Sequence, residues 1–137
     1  MYAANRRDQA AQAYAQGAAT MPPTLLLVQV HDGMVQKLRQ VRSAIQDDRI
    51  EDRVTESLKV ANVIEALHLA LDTERGGEVA ANLAQLYGYF IGRIQALNLQ
   101  NDPAICDELI ARLSELRQGW QGAMHQAAPP ATDNLSA

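Results

Sequence analysis

The side chains best suited to chemistry in this sequence are three histidines, His31, His68 and His125. Four-helix phosphotransfer domains present one exposed histidine on a helix, so His31 or His68 could accept a phosphoryl group. The alternative is packing, with His31 filling a slot the size of an aromatic ring and His68 lying at a helix seam beside Ile64 and Leu71. We expect packing, because a phosphoacceptor histidine is usually followed closely by a lysine and a glycine. After His31 the lysine, Lys37, lies further on, and His68 is followed by Leu69-Ala70-Leu71.

Other signatures of catalysis or of metal binding are weak. Cys106 falls in the first turn of a predicted helix, where the helix dipole could lower the pKa of its thiol, but a small half-buried residue is the simpler interpretation. As the single cysteine of the chain it forms neither a disulfide framework nor a cysteine metal cage. The acidic residues form no Glu-x-x-His pair, and Gly76-Gly77 lacks the context of a phosphate-binding loop. The sequence predicts no enzyme, no metal and no cofactor.

Composition excludes two classes of partner. The chain has 137 residues and a net charge of −4, with 12 Lys and Arg against 16 Asp and Glu, so we expect no nucleic-acid binding. The longest apolar run, Leu25 to Val28, is far shorter than the roughly 20 residues of a spanning helix, so we expect no membrane insertion. No apolar stretch follows Arg6 and Arg7 as in a secretory signal. A cytoplasmic location is expected, and the lone cysteine fits a reducing compartment.

The elements that must position these residues are helices, because the interior is rich in Ala, Leu, Gln and Glu and prolines lie at the margins. Short connections predict an all-α fold, an antiparallel four-helix bundle. The expected segments are an N-terminal arm or short helix over 1–20, a bundle domain over 21–126 and a disordered tail over 127–137. The expected helices run from about Thr20–Pro23 to Gln46, Ile50 to Asp72, Glu78 to Leu99, and Asp102-Pro103 to about Met124.

The second helix carries apolar residues over about 240° of its circumference, against a little over 100° for an ordinary surface helix. The expected core-facing set is Ile50, Val54, Leu58, Ala61, Ile64 and Leu71. Beyond one edge of that set lie Val60, Val63, Leu67 and Ala70. Two interpretations stand: a helix packed between two neighbours, or a groove that takes the apolar face of a partner.

The third helix carries four small residues at a spacing of four, Ala84, Gly88, Gly92 and Ala96. Such a ridge would let another backbone approach closely, as in a dimer. Alternatively the ridge faces solvent, where the cost of two interior glycines, roughly 1 kcal/mol each, is tolerated. We favour the solvent-facing alternative.

Several segments match one protein family. They are Met1 to Ala4, the Asp32-Gly33 pair, 71–83 (LDTERGGEVAANL), 86–94 (LYGYFIGRI), 97–102 (LNLQND) and 116–120 (LRQGW). Through them residues 1–124 resemble the flagellin export chaperone family, FliS. The chain departs from the family where His31 replaces an aromatic residue before Asp-Gly, and where Gly88 and Gly92 replace Asp and Arg.

The resemblance implies a cytoplasmic, non-enzymatic helical bundle. Such proteins bind the disordered C-terminal segment of flagellin, prevent its premature polymerisation and deliver it to the flagellar type III export gate. A long contact surface is expected, because a segment that becomes ordered on binding loses part of the binding energy to entropy.

Combining the wide apolar arc with this resemblance predicts a flagellin groove and an arm that covers it. The groove candidates are Val60, Val63, Leu67, Leu71 and Tyr87, and the arm candidates are Tyr2 and Tyr14. The alternatives are a histidine phosphotransfer-type signalling bundle and a dimerising helical adaptor, so a homodimer is a further expected partner.

Overall fold

A computed structural model describes residues 23–127 of the chain, with side chains described for 24–122. All regular structure in these residues is helical: α1 is Pro23–Gln46, α2 is Ile50–Leu69, α3 is Thr73–Gln100 and α4 is Pro103–Ala127. The all-α prediction is confirmed. The predicted arm and tail, with Tyr2 and Tyr14, lie outside the described residues apart from the end of α4.

The four helices form a closed ring in which each packs against two others. The pairs are α1 with α2, α2 with α3, α3 with α4, and α4 with α1. The α1–α4 interface is the most extensive and the α3–α4 interface the smallest. Short connections between successive helices make neighbours antiparallel, as predicted. None of the helices of the described part is long and apolar enough to cross a membrane.

The second helix was predicted to end at Asp72, but α2 ends at Leu69. The start of α3 shows why. The Asp72 carboxylate accepts hydrogen bonds from the backbone N–H groups of Glu74 and Arg75, both at 3.1 Å, so Asp72 caps α3 instead of ending α2. Gly77 then adopts φ 54° and ψ −131°, which only glycine reaches easily, and kinks the helix. The straight part of α3 therefore starts at Glu78, the predicted first residue.

The core-facing side of α2 differs from the prediction. Val60, Ile64 and Leu67 are buried in the common core, whereas Ile50 and Leu58 are exposed. The expectation that Val60 and Leu67 lie outside the core was wrong, because the buried stripe is centred between the two apolar sets instead of on the first. The wide apolar arc mainly reflects a helix with two neighbours, α1 and α3.

Polar side chains fix the register of α2 and α3. The Ser57 hydroxyl and the Asn98 side-chain amide hydrogen bond to each other at 2.9 Å, and the Arg53 guanidinium donates to Asn101 Oδ1 at 2.6 Å.

The small-residue ridge of α3 includes Gly88 and Gly92, which are exposed, and a Cβ added to either would meet nothing within 4 Å. This agrees with the solvent-facing interpretation of the small-residue ridge, and its use in a dimer stays a prediction.

Candidate functional site

His31 is a fully buried, doubly hydrogen-bonded side chain between α1 and α4. Its Nδ1 lies 2.8 Å from the Leu27 carbonyl oxygen, and its Nε2 lies 3.4 Å from Trp120 Nε1. An indole N–H only donates, so Nε2 must accept and the ring proton must sit on Nδ1, which donates to Leu27. Burial lowers the pKa of His31, against smaller opposite contributions from the Leu27 hydrogen bond and from Asp32. His31 is therefore held as one neutral tautomer.

This geometry contradicts the phosphotransfer hypothesis for His31, because both ring nitrogens are occupied and none of the ring reaches solvent. The packing alternative is right: the His31 ring meets the Trp120 ring edge-on, with centroids 6.2 Å apart. His68 is exposed, which contradicts its expected place at the seam, and its ring lies 6.4 Å from that of Tyr87. The side chain of His125 lies outside the described ones.

Cys106 is buried, and burial raises the pKa of its thiol to about 11. The thiol is therefore protonated at neutral pH, and the proposed activation by the helix dipole does not occur. Among the described residues no group of three or more His, Cys, Asp or Glu side chains could hold a metal ion.

Two ion pairs join the same two helices and complete what we call the α1–α4 seam, the interface that holds His31 against Trp120. Arg117 Nε lies 2.7 Å from Asp32 Oδ1, and Arg42 Nε lies 2.7 Å from Asp107 Oδ1. Asp32 of the Asp32-Gly33 pair meets Arg117 of the LRQGW segment in this seam, and both segments carried the family resemblance. Their role in this structure is to join α1 to α4.

The other side of α1 faces α2 and is built differently. The Lys37 ammonium and the Glu56 carboxylate, 3.0 Å apart, fix the register of these antiparallel helices. Val30 lies seven residues before Lys37, and Val63 lies seven residues after Glu56. Two helical turns, about 10 Å, therefore bring Val30 and Val63 to the same level on facing sides. Both are partly buried against the core.

Around this pair lies a stretch of helix surface without charge. Leu26, four residues before Val30, is 47% exposed, and a Cβ added to the exposed Gly33 would meet nothing within 4 Å. Ala66 on α2 and Ala70, the residue directly after α2, are exposed. We call this surface the α1–α2 groove, and its residues are Leu26, Val30, Gly33, Val63, Ala66 and Ala70. The charged side chains of Lys37, Glu56 and Lys59 form ion pairs at one end of the groove.

The structure brings together some of the residues predicted for a flagellin groove. Val63 lies at the rim of the α1–α2 groove, with Val60 and Leu67 buried beneath it. Leu71 is partly buried just after the end of α2, and Tyr87 is fully buried on α3, which is not a wall of this groove. Whether these five residues bind a partner stays a prediction.

The sequence analysis missed the residues that α1 contributes to the groove. Leu26 and Val30 were absent from the candidates, although their spacing of four residues places them on one side of a helix. This spacing was the available signal.

Comparison with known proteins identifies the family to which this chain belongs. A family model described as flagellar protein FliS matches residues 6–127. The chain is 38% identical to the flagellar secretion chaperone FliSB of Pseudomonas aeruginosa over 103 residues, which are 75% of this chain and 82% of that protein. It is 31% identical over 123 residues to the flagellar secretion chaperone FliS of Salmonella typhimurium, covering 88% and 91% of the two chains. With FliS of Bacillus subtilis the identity is 26%, over 82% of this chain and 84% of that one.

Proposed function

Because the chain belongs to the FliS family of flagellar secretion chaperones, which are not enzymes, we propose that it binds the disordered C-terminal segment of flagellin, here called the client. Binding keeps the client from polymerising prematurely in the cytoplasm and delivers it to components of the flagellar export gate. The client segment is expected to become partly helical as it docks.

The observation that carries this proposal is the uncharged surface of the α1–α2 groove. Leu26 and Val63 offer apolar surface at its two rims, and the exposed Gly33 leaves room for a second backbone to come close. An apolar side chain of the client would lose contact with water here without removing any charged group of this chain from water. An amphipathic helix placed in a groove uses this mode of recognition.

A calorimetric titration with the C-terminal segment of flagellin from the same source tests the proposal. Val63→Glu should weaken binding by about tenfold or more, about 1.4 kcal/mol, because a carboxylate would be buried against apolar client atoms. Asn62→Glu is the matched control: it adds the same charge one residue away on an exposed position and should leave affinity unchanged. Ala66→Glu repeats the test at an exposed groove position where folding is not at risk.

Thermal melting of the same variants separates binding from folding. Val63→Glu should reduce affinity more than it reduces stability. Equal affinities of Val63→Glu, Ala66→Glu and the unmodified protein would reject this groove as the client site. Failure of the unmodified protein to bind the segment at all would reject the function.

The proposed arm, residues 1–20 with Tyr2 and Tyr14, would compete with the client for the same groove. An exposed apolar groove promotes self-association, and a reversible cover would limit it. Deleting residues 2–18 should therefore leave the bundle folded and raise client affinity or self-association. If neither changes, the arm does not cover the groove.

A homodimer through Gly88 and Gly92 is the remaining proposed partner, and light scattering of Gly88→Glu tests it.

A further inference from the structure

The contact between His31 and Trp120 depends on one protonation state of one ring. Trp120, 3% exposed, offers its indole N–H to a nitrogen that accepts only while His31 is neutral. A proton on Nε2 would leave two N–H groups facing each other in the core. It would also place a positive charge in a site with no solvent contact. Neither consequence depends on the client.

We propose that the His31–Trp120 contact makes the α1–α4 seam acid-sensitive: protonation of His31 removes the hydrogen-bond acceptor of Trp120 and loosens α4 from α1. The indole must then turn away from the ring, or the imidazolium must move towards water. Both movements separate the two helices at the level of this contact.

The charged groups around His31 do not remove this sensitivity. Asp32, the adjacent residue on α1, could compensate an imidazolium, but its carboxylate is already engaged by Arg117 of α4 at 2.7 Å. From α2, the nearest ion pair along the α1 side is Lys37 with Glu56, six residues beyond His31 on α1. About 9 Å of helix separates them. Within the described side chains no unengaged carboxylate lies beside the ring.

The direction of the effect follows from the lowered pKa of His31. In the unfolded chain the imidazole titrates near its ordinary pKa of about 6.5. Below that value the unfolded chain binds a proton that the folded chain does not, so stability falls as the pH drops from neutrality. The loss ends when the pH reaches the folded-state pKa. The lowered pKa values of Glu56 and Glu108 give a separate loss at more acidic pH, below the ordinary carboxylate range.

The experiment uses the single tryptophan of the chain, which is Trp120 itself. Tryptophan emission and urea unfolding are measured at several values between about pH 7.5 and about pH 5. We expect the emission of the folded protein to change with a midpoint below 6.5. As the pH falls through this range, the equilibrium constant for unfolding should rise. The rise should be about tenfold for each unit by which the pKa of His31 in the folded chain lies below its value in the unfolded chain. In His31→Phe, which keeps an aromatic ring at this position but cannot titrate, both changes should be absent.

His31→Gln gives a second non-titrating variant should the phenylalanine ring not fit. Proton NMR of the folded unmodified protein adds a direct readout, since one of its three histidines should titrate below 6.5 and its resonance should be missing in the variants. The proposal is overturned if all three histidines titrate at or above 6.5. It is equally overturned if the variants keep the same pH dependence of emission and of unfolding.

Discussion

The two sides of α1 are built from different kinds of side chain. Towards α4, a buried His31–Trp120 hydrogen bond lies near the Asp32–Arg117 ion pair, and every one of these side chains is paired. Towards α2, beyond the Lys37–Glu56 ion pair, the α1–α2 groove is lined by Leu, Val, Ala and Gly residues and carries no charged group. Within the described residues, one interface is joined by directional bonds, whereas the other offers exposed apolar surface.

This difference assigns the two sides of α1 different roles: the α1–α4 seam stabilises the fold, and the α1–α2 groove is the proposed binding surface. Directional contacts fix how α4 lies on α1, so the α1–α4 seam resists competition from a flexible apolar segment. The α1–α2 groove has no such bonds to break, and a client needs only to displace water from it. The interface with α4, the most extensive one in the described bundle, holds α1 in place on the side opposite the groove.

The largest expected effect comes from removing the centre of the α1–α4 seam. Trp120→Ala should destabilise the protein by about 3–5 kcal/mol, since it leaves a cavity and an unpaired His31 nitrogen. Val63→Ala, at the partly buried groove rim, should cost about 1 kcal/mol or less, because solvent already reaches that side chain. Urea unfolding followed by circular dichroism measures both. Equal losses in the two variants would contradict the division between a structural side and a binding side.

Much of the fold could be predicted because it depends on local signals. The helix start at Asp102-Pro103 is visible within a few residues of sequence. In the structure Asp102 accepts a hydrogen bond from the Ala104 N–H at 2.9 Å, as expected of a residue that caps a helix. The kink at Gly77 lies inside a helix that was expected to begin only at Glu78. The Asp72 cap on Glu74 and Arg75 starts the helix at Thr73, before the residue at which it was predicted to begin.

The candidate site was harder to predict, because a groove is formed by two helices and their register. The apolar excess of α2 was visible, but which part of it faced the core depended on the position of α1, and so Val60 and Leu67 were misplaced. Similarly, the sequence allowed His31 either to be exposed or to fill an aromatic slot. Trp120, distant in sequence, decides between these alternatives by supplying a donor.

A smaller effect should distinguish Gly33 in the groove from Gly92 on the open face of α3. Each is exposed in a helix interior with nothing within 4 Å of an added Cβ, so Gly33→Ala and Gly92→Ala should each stabilise the protein by about 0.5–1 kcal/mol. Only Gly33→Ala should change client affinity, because its methyl group would narrow the groove. Melting and titration of both variants check this. A change in affinity with Gly92→Ala instead would move the client site to α3.

The smallest effect concerns the ion pair beside the buried contact. The Asp32 and Arg117 side chains are 53% and 33% exposed, so water screens their attraction, and the pair should contribute only about 0.2–1 kcal/mol. A double-mutant cycle with Asp32→Asn, Arg117→Gln and the combined variant isolates that coupling, because the effects common to the single changes cancel. The coupling should fall as salt is added. A coupling above about 2 kcal/mol would mean that the ion pair, more than the His31–Trp120 contact, holds α4 against α1, and the acid sensitivity of the seam should then be weaker than proposed.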